Sequence, residues 1–267
     1  MVEYADEIFD HMKNLEIKML PTSNYMETKQ KETELNWSMR SELIDWLVRV
    51  HYSRRLQPEI LFRLVNYIDR FLSVIPVRIS LLQLIGLEAL SVAAKFNGVD
   101  ISATQLQKLC ENSYSIETIL KVEIVFLRGL DYDLGWPGPL SFLQKIYERG
   151  PDFPRCRQLP QYLLEAILTD ERFIAERPSL TAAAAYYLAR QMLNLGIWSP
   201  NFIQTSGYKY EQLYPIMNLM MECCKNPYSH YLAVFKKYSR RENIEVALLV
   251  KQKLAGKFVI IEPSLES

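Results

Sequence analysis

His11, His51 and His230 are the only imidazoles among the 267 residues, and no two stand at a metal-ligand spacing. The four cysteines, Cys110, Cys156, Cys223 and Cys224, form no C-x-x-C pair and have no histidine at zinc-site distance. They read as buried, reduced thiols of a cytosolic or nuclear protein. H-E-x-x-H, G-x-S-x-G, the G-x-x-x-x-G-K-[ST] phosphate loop and G-x-G-x-x-G are all absent. Asp45 and Asp69 lie beside basic residues in helical stretches, where ion pairs are commoner than catalytic dyads. No nucleophile, base and orienting group come together, so the expectation is a non-enzyme with no catalytic residue, no metal and no cofactor.

The residues with chemical potential are instead ionisable groups set inside apolar runs. Arg40 follows Met39, Asp69 sits in LVNYIDRFL, Lys95 closes an apolar stretch, and Glu123 interrupts LKVEIVFL. A charge carried into an apolar interior must be paired or must face a partner. An Arg40–Asp69 pair would satisfy two of the four. Lys95 and Glu123 either pair with each other or are offered to another protein, and spacing leaves both open. Lys236-Lys237 and Arg240-Arg241 form the one basic cluster, which reads as a solvated helix end. With 31 Lys+Arg against 31 Asp+Glu the net charge is zero, which disfavours a nucleic-acid partner.

The elements that must position these groups are helices. Hydrophobic residues make up 49% of the chain, enough for a packed core, and only 9 glycines leave few tight turns. Stripes at spacings of three and four predict helices over 3–19, 38–53 and from Pro58 through Leu72. SLLQLIGLEALSVAAKF (80–96) is apolar or small all round, the pattern of a helix buried on every side. Shorter helices are expected near 103–110 and 115–130, before the breaker cluster Gly135-Trp136-Pro137-Gly138-Pro139. The second half repeats the logic, with helices near 139–148, 157–172, 178–194, 199–206 and 209–225. There LTAAAAYYLARQM (180–192) is a second all-round apolar helix. Two central helices with amphipathic neighbours argue for two tandem bundles. The expected division is 1–36, a helix and loop; 37–134 and 135–255, the bundles; and 256–267, a tail containing the short apolar run Phe258–Ile261. No uncharged apolar run approaches the ~18 residues of a membrane span, and the acidic start (Glu3, Asp6, Glu7, Asp10) is unlike a signal peptide, so no membrane partner is expected.

MRSELIDWLVRVH (39–51), LVNYIDRFLSV (64–74) and LLQLIGLEALSVAAKF (81–96) closely resemble the cyclin box of the A/B-type mitotic cyclins. EYADEIFDHMKNLEIKMLPTSNYM (3–26) looks like the helix and loop that precede the box in B-type members, and the similarity continues through 177–193 and 234–250. The resemblance implies an all-α fold of two five-helix bundles preceded by an N-terminal helix. It implies a regulatory subunit, nuclear and cytoplasmic, that binds and activates a cyclin-dependent kinase of the G2/M type as a heterodimer and helps select its substrates. Arg40, Asp69, Leu84, Lys95 and Glu123 match the five hallmark positions of the box. By the same resemblance Arg40 and Asp69 form a structural pair. Lys95, Phe96, Leu120, Glu123 and Leu127, with Tyr4, Ile8 and His11 of the first helix, face the kinase. Helix-face spacing alone leaves Ile8 and Leu127 open as core positions.

The resemblance also implies a hydrophobic patch that docks Arg-x-Leu motifs of substrates and inhibitors, here Met39, Glu42, Leu43, Trp46, Arg49, Leu82 and Gln83. Two of these depart from the family pattern. Glu42 replaces an apolar residue, and Arg49 replaces the acidic or amide residue that receives the docking arginine, so weakened docking is expected. Asn97-Gly98 stands where the family usually has two glutamates. No K-E-N degradation signal occurs, and the chain starts almost at the first helix, as expected for a trimmed core or a short member.

Overall fold

Prolines and small polar residues mark where the helices begin. Pro58, Pro139, Pro154, Pro178 and Pro200 each occupy the first helical turn, where a missing N–H breaks no bond. Asn36, Ser102 and Ser115 each cap a helix by accepting from a backbone N–H three residues on. The computed structural model describes residues 4–262, with side-chain burial undescribed at residues 5, 6, 229 and 230. Among the described residues there is no strand.

The N-terminal bundle spans Ile17–Trp136 with Glu171–Ala175. Its helices are α2 (Trp37–Ser53), α3 (Pro58–Val74), α4 (Ile79–Phe96), α5 (Ala103–Leu109) and α6 (Ile116–Gly129). Preceding them is α1 (Ala5–Lys18), which up to Glu16 packs in the C-terminal bundle. As its pattern predicts, α4 is central, packed against α2, α3 and α6, and every residue from Leu84 to Ala94 is buried. It is long and apolar enough to cross a membrane, yet 67% of it is buried inside the bundle. The turns at 22–36 are not merely a polar loop. Tyr25 and Gln30 are buried there, and Gln30 Nε2 donates to the Leu72 and Ile75 carbonyls at the end of α3.

The C-terminal bundle holds residues up to Glu16, Pro137–Asp170 and those from Glu176. Its helices are α7 (Pro139–Tyr147), α8 (Pro154–Ala166), α9 (Pro178–Met192), α10 (Pro200–Ser206) and α11 (Tyr210–Lys225), followed by α12 (Pro227–His230), α13 (Leu232–Tyr238) and α14 (Val246–Ala255). The second all-round apolar segment is again the central helix: α9 packs against α7, α8 and α11. Glu16 of α1 anchors on the start of α9, accepting from the Ser179 backbone N–H at 2.8 Å and its hydroxyl at 2.7 Å.

One sequence reading needs correction in this bundle. Lys237 is not part of a solvated helix end. It is buried and gives both Glu165 oxygens a hydrogen bond, at 2.8 and 2.7 Å, while the Tyr238 hydroxyl donates a third at 2.8 Å. Glu165 is itself fully buried, so the pair closes a charge in the interior. Lys236, one residue earlier, is exposed. The apolar run near the end is also held in place. Gln191 on α9 both donates to the Ile261 carbonyl at 2.7 Å and accepts from its N–H at 2.8 Å, and Ile260 is buried. The four cysteines are buried and none is in a disulfide, as their spacing suggested.

Candidate partner-binding surface

α2 and α3 bring Arg40 and Asp69 together. Arg40 Nε and Nη2 each donate to one Asp69 oxygen at 2.6 Å, and the Tyr25 hydroxyl donates to Asp69 Oδ1 at 2.8 Å. Both side chains are almost wholly inaccessible. Burial opposes the Arg40 charge, but Asp69 and, after it, Tyr25 together more than offset that, and the guanidinium stays protonated more firmly than a free one. Burial, then Asp69, pushes the Tyr25 hydroxyl well up, so it remains a donor. This cluster is structural and closed to solvent. Sequence reading found the ion pair and missed Tyr25, which lies in the loop 44 residues before Asp69.

Lys95 and Glu123 do pair, and they do so at the surface. Lys95 Nζ donates to Glu123 Oε1 at 2.5 Å, with the lysine exposed and the glutamate half-buried. Lys95 stands in the last turn of α4, where the helix dipole favours a cation. The helix stops just beyond it: Asn97 Nδ2 donates to the Ala93 carbonyl at 2.7 Å, and Gly98 takes the left-handed φ of 77°.

An apolar stripe flanks this pair. Ser115 sets the start of α6, and Ile119 and Phe126 turn inward. The opposite face leaves Leu120 48% and Ile124 49% exposed, with Ile116 and Val125 also open. Leu127 is half-buried, so it is not an ordinary core residue. Phe96 is 49% exposed with the Arg63 guanidinium 4.7 Å from its ring centre, a cation–π contact that steadies an otherwise open aromatic. Lys95 and Phe96 at the end of α4 and Leu120, Glu123 and Leu127 on α6 thus all lie on the N-terminal bundle, with the Lys95–Glu123 contact joining the two helices. Ile116, Ile124 and Val125 extend the surface. The i, i+4, i+8 spacing of Ile116, Leu120 and Ile124 was visible in the sequence, but nothing there shows that the stripe faces out. Exposed large aliphatic groups in such a row mark a surface made to be covered.

Directly inside this surface lies a group that sequence reading passed over. Glu88 on α4 is fully buried, and among the described residues neither carboxyl oxygen has a hydrogen-bond partner. Burial first, and Glu123 second, push its pKa up to about 8, against a smaller opposing pull from Lys95.

On α1, Tyr4 and Ile8 are more than half exposed and His11 is exposed, which removes the core reading for Ile8. At the candidate docking patch, Leu43 and Leu82 are buried, Met39 and Trp46 half-buried, and Glu42, Arg49 and Gln83 exposed. The Leu43 methyls reach α4 at Gly86, where a Cβ would lie 2.8 Å from Leu43 Cδ1. Arg49 is tied to Asp45 one turn earlier, and Glu42 takes a 3.4 Å bond from Ser38.

Comparison with known proteins agrees with this architecture. Residues 7–135 match the model of the cyclin N-terminal domain, and residues 137–252 that of the cyclin C-terminal domain. The chain is 39% identical over 253 residues to the G2/mitotic-specific cyclin-4 of Candida albicans, covering 94% of this chain and 51% of that protein. It is 40% identical over 238 residues to the G2/mitotic-specific cyclin cig1 of Schizosaccharomyces pombe, covering 89% and 57%. The chain thus spans about half the length of these relatives. A viral cyclin from herpesvirus saimiri superposes with a TM-score of 0.69 at 17% identity, over 82% of this chain and 98% of the other. A chain of the CAK complex of Chaetomium thermophilum bound to ATP-gamma-S superposes with a TM-score of 0.53 at 16% identity, over 96% and 93%. Both likenesses concern the fold.

Proposed function

Because the chain belongs to the cyclin family, we propose that it is a regulatory subunit that binds and activates a cyclin-dependent protein kinase of the mitotic, G2/M type, without catalysis of its own. The observation that carries this reading is the Lys95–Glu123 pair, set on the surface beside Phe96 and Leu120 while the other hallmark charges, Arg40 and Asp69, are sealed inside. Tyr4, Ile8 and His11 supply further contacts from α1. The relatives' G2/mitotic character supports the choice of kinase class.

The mechanism is a population shift. A kinase needs its αC helix turned in, so that the catalytic Lys–Glu pair forms. An apolar ridge with a central ion pair, held rigid by a packed bundle, binds the αC-in arrangement better than the αC-out one. The difference in affinity moves the equilibrium. Rigidity is what makes this possible, and the buried Arg40–Asp69–Tyr25 cluster fixes α2, α3 and the preceding loop.

The Met39, Leu43, Trp46 and Leu82 patch serves as a docking site for substrates and inhibitors, with Arg-x-Leu affinity reduced by Arg49. The protein works in the nucleus and the cytoplasm, a reading a fluorescent fusion tests. The binding claim is tested by titrating the chain with a purified mitotic cyclin-dependent kinase. Wild type forms a 1:1 complex on gel filtration, and Lys95→Ala and Glu123→Ala each weaken it about tenfold or more, as for truncation of hot-spot residues. No complex for wild type refutes the reading.

A further inference from the structure

Among the described residues, nothing in the N-terminal bundle hydrogen-bonds to the Glu88 carboxyl. A carboxyl group taken fully out of water without a partner is costly in either state and far costlier as an anion. It lies two helical turns before Lys95 on the same helix, a rise of about 10.5 Å. Seven residues are close to two full turns, so Glu88 and Lys95 stand on the same face of α4. Glu123, which holds the Lys95 ammonium, is also the like charge that acts on Glu88.

The groups around the carboxyl can be named element by element. From α6 comes Glu123, from α4 itself Lys95, and just past α5 the Cys110 thiol, whose ionisation burial opposes first and Glu88 to a lesser degree. On α3, Asp69 is bonded to Arg40 of α2, Arg63 is stacked on Phe96, and Arg70 donates to the Asp133 and Leu130 carbonyls. On α2, His51 Nε2 meets the Gln57 carbonyl. Lys95 is the cation whose charge already acts on Glu88, and its ammonium is held by Glu123.

We propose that Glu88 is a positioning residue for the Lys95–Glu123 pair: protonated, it leaves the ammonium to Glu123 and the partner surface is assembled; ionised, it draws Lys95 inward and pushes Glu123 away. This rests on the kinase-binding reading of the surface and adds its control by a single proton, which passes to solvent as pH rises.

The test is kinase binding by the intact chain at pH 6.5–9, for wild type and for Glu88→Gln, which keeps the shape and removes the proton equilibrium. In wild type the dissociation constant rises about tenfold by one pH unit above the midpoint, because about a tenth of the chain then remains competent. Glu88→Gln binds at least as well as wild type at pH 7 and does not follow this rise. The kinase's own titration is common to both and cancels. Parallel profiles for the two proteins overturn the proposal. If neither binds kinase at any pH, the functional reading fails, and the free chain still decides this one. The Lys95 side-chain resonances then shift with a midpoint near pH 8 in wild type and not in Glu88→Gln, whereas identical titrations in both overturn it.

Discussion

Arg40 meets Asp69 with two parallel hydrogen bonds of 2.6 Å between α2 and α3, and Lys95 meets Glu123 with one of 2.5 Å at the end of α4. The chemistry is alike and the surroundings are opposite. The first pair is sealed and the second is open. Truncating one member of a sealed pair strands the other, at a cost of about 3–5 kcal/mol. Truncating one member of an exposed pair costs about 0–1 kcal/mol. Asp69→Ala should therefore lower the thermal melting point of the free chain substantially, and Lys95→Ala should barely move it. Equal losses would show that the two pairs do not divide into structural and partner-facing roles.

The Glu165–Lys237 pair extends the same reasoning to the C-terminal bundle. Lys237→Met removes the ammonium from a fully buried carboxylate, leaving it hydrogen bonds from Tyr238 and Gln161. Urea unfolding should show a loss of about 3–5 kcal/mol. Lys236→Ala, on the exposed side of α13, should stay within about 0.5 kcal/mol of wild type. A similar small effect for both would mean that the Glu165 charge is satisfied without the lysine.

Most of the helical architecture was legible because its signals are local. Stripes at three and four, prolines in first turns and two all-round apolar segments gave the order of α1 to α11 and both central helices. The short α12 and α13, of 4 and 7 residues, carry too few turns for a periodic signal. Lys237 looked solvated because its partner, Glu165, is 72 residues away in sequence. Tyr25 and Glu88 were missed for related reasons. A loop tyrosine gives no sign of reaching a buried aspartate, and a single glutamate in an apolar helix does not reveal whether it is paired. The candidate site residues were found through the family resemblance, since spacing alone left Lys95 and Glu123 undecided.

Glu88 makes a prediction for stability that is independent of any partner. Its folded pKa, about 8, lies above the ordinary value of 4.5, so the folded state holds the proton that the unfolded state gives up. The sign follows from linkage. Glu88 imposes no ionisation cost below pH 4.5. A destabilisation accumulates as pH rises toward 8 and is constant above that. Relative to Glu88→Gln, wild type should lose stability with pH across that window by up to about 1.4 kcal/mol per unit. Urea unfolding at pH 5, 6, 7 and 8 checks it. A stability difference that does not change with pH would mean that folded Glu88 is already charged throughout, as in the unfolded chain.

At the docking patch, Arg49 presents its charge where an incoming Arg-x-Leu peptide places another. Asp45 neutralises it only in part, because the pair is largely exposed on the arginine side. Two like charges about 4 Å apart cost about 1 kcal/mol in water and more at a protein surface. Wild type should bind a labelled Arg-x-Leu peptide weakly, and Arg49→Glu should tighten it severalfold. Tight wild-type binding left unchanged by the reversal would place Arg49 outside the peptide's path.

The central claim is that this chain turns on a kinase while doing no chemistry itself. Histone phosphorylation by a purified mitotic cyclin-dependent kinase, measured with and without the chain, tests it most directly. The expected result is no phosphate transfer by the chain alone, strong stimulation of the kinase by wild type, and weaker stimulation by Glu123→Ala at the same concentration. Unchanged kinase activity over a full titration with folded wild-type chain would contradict it.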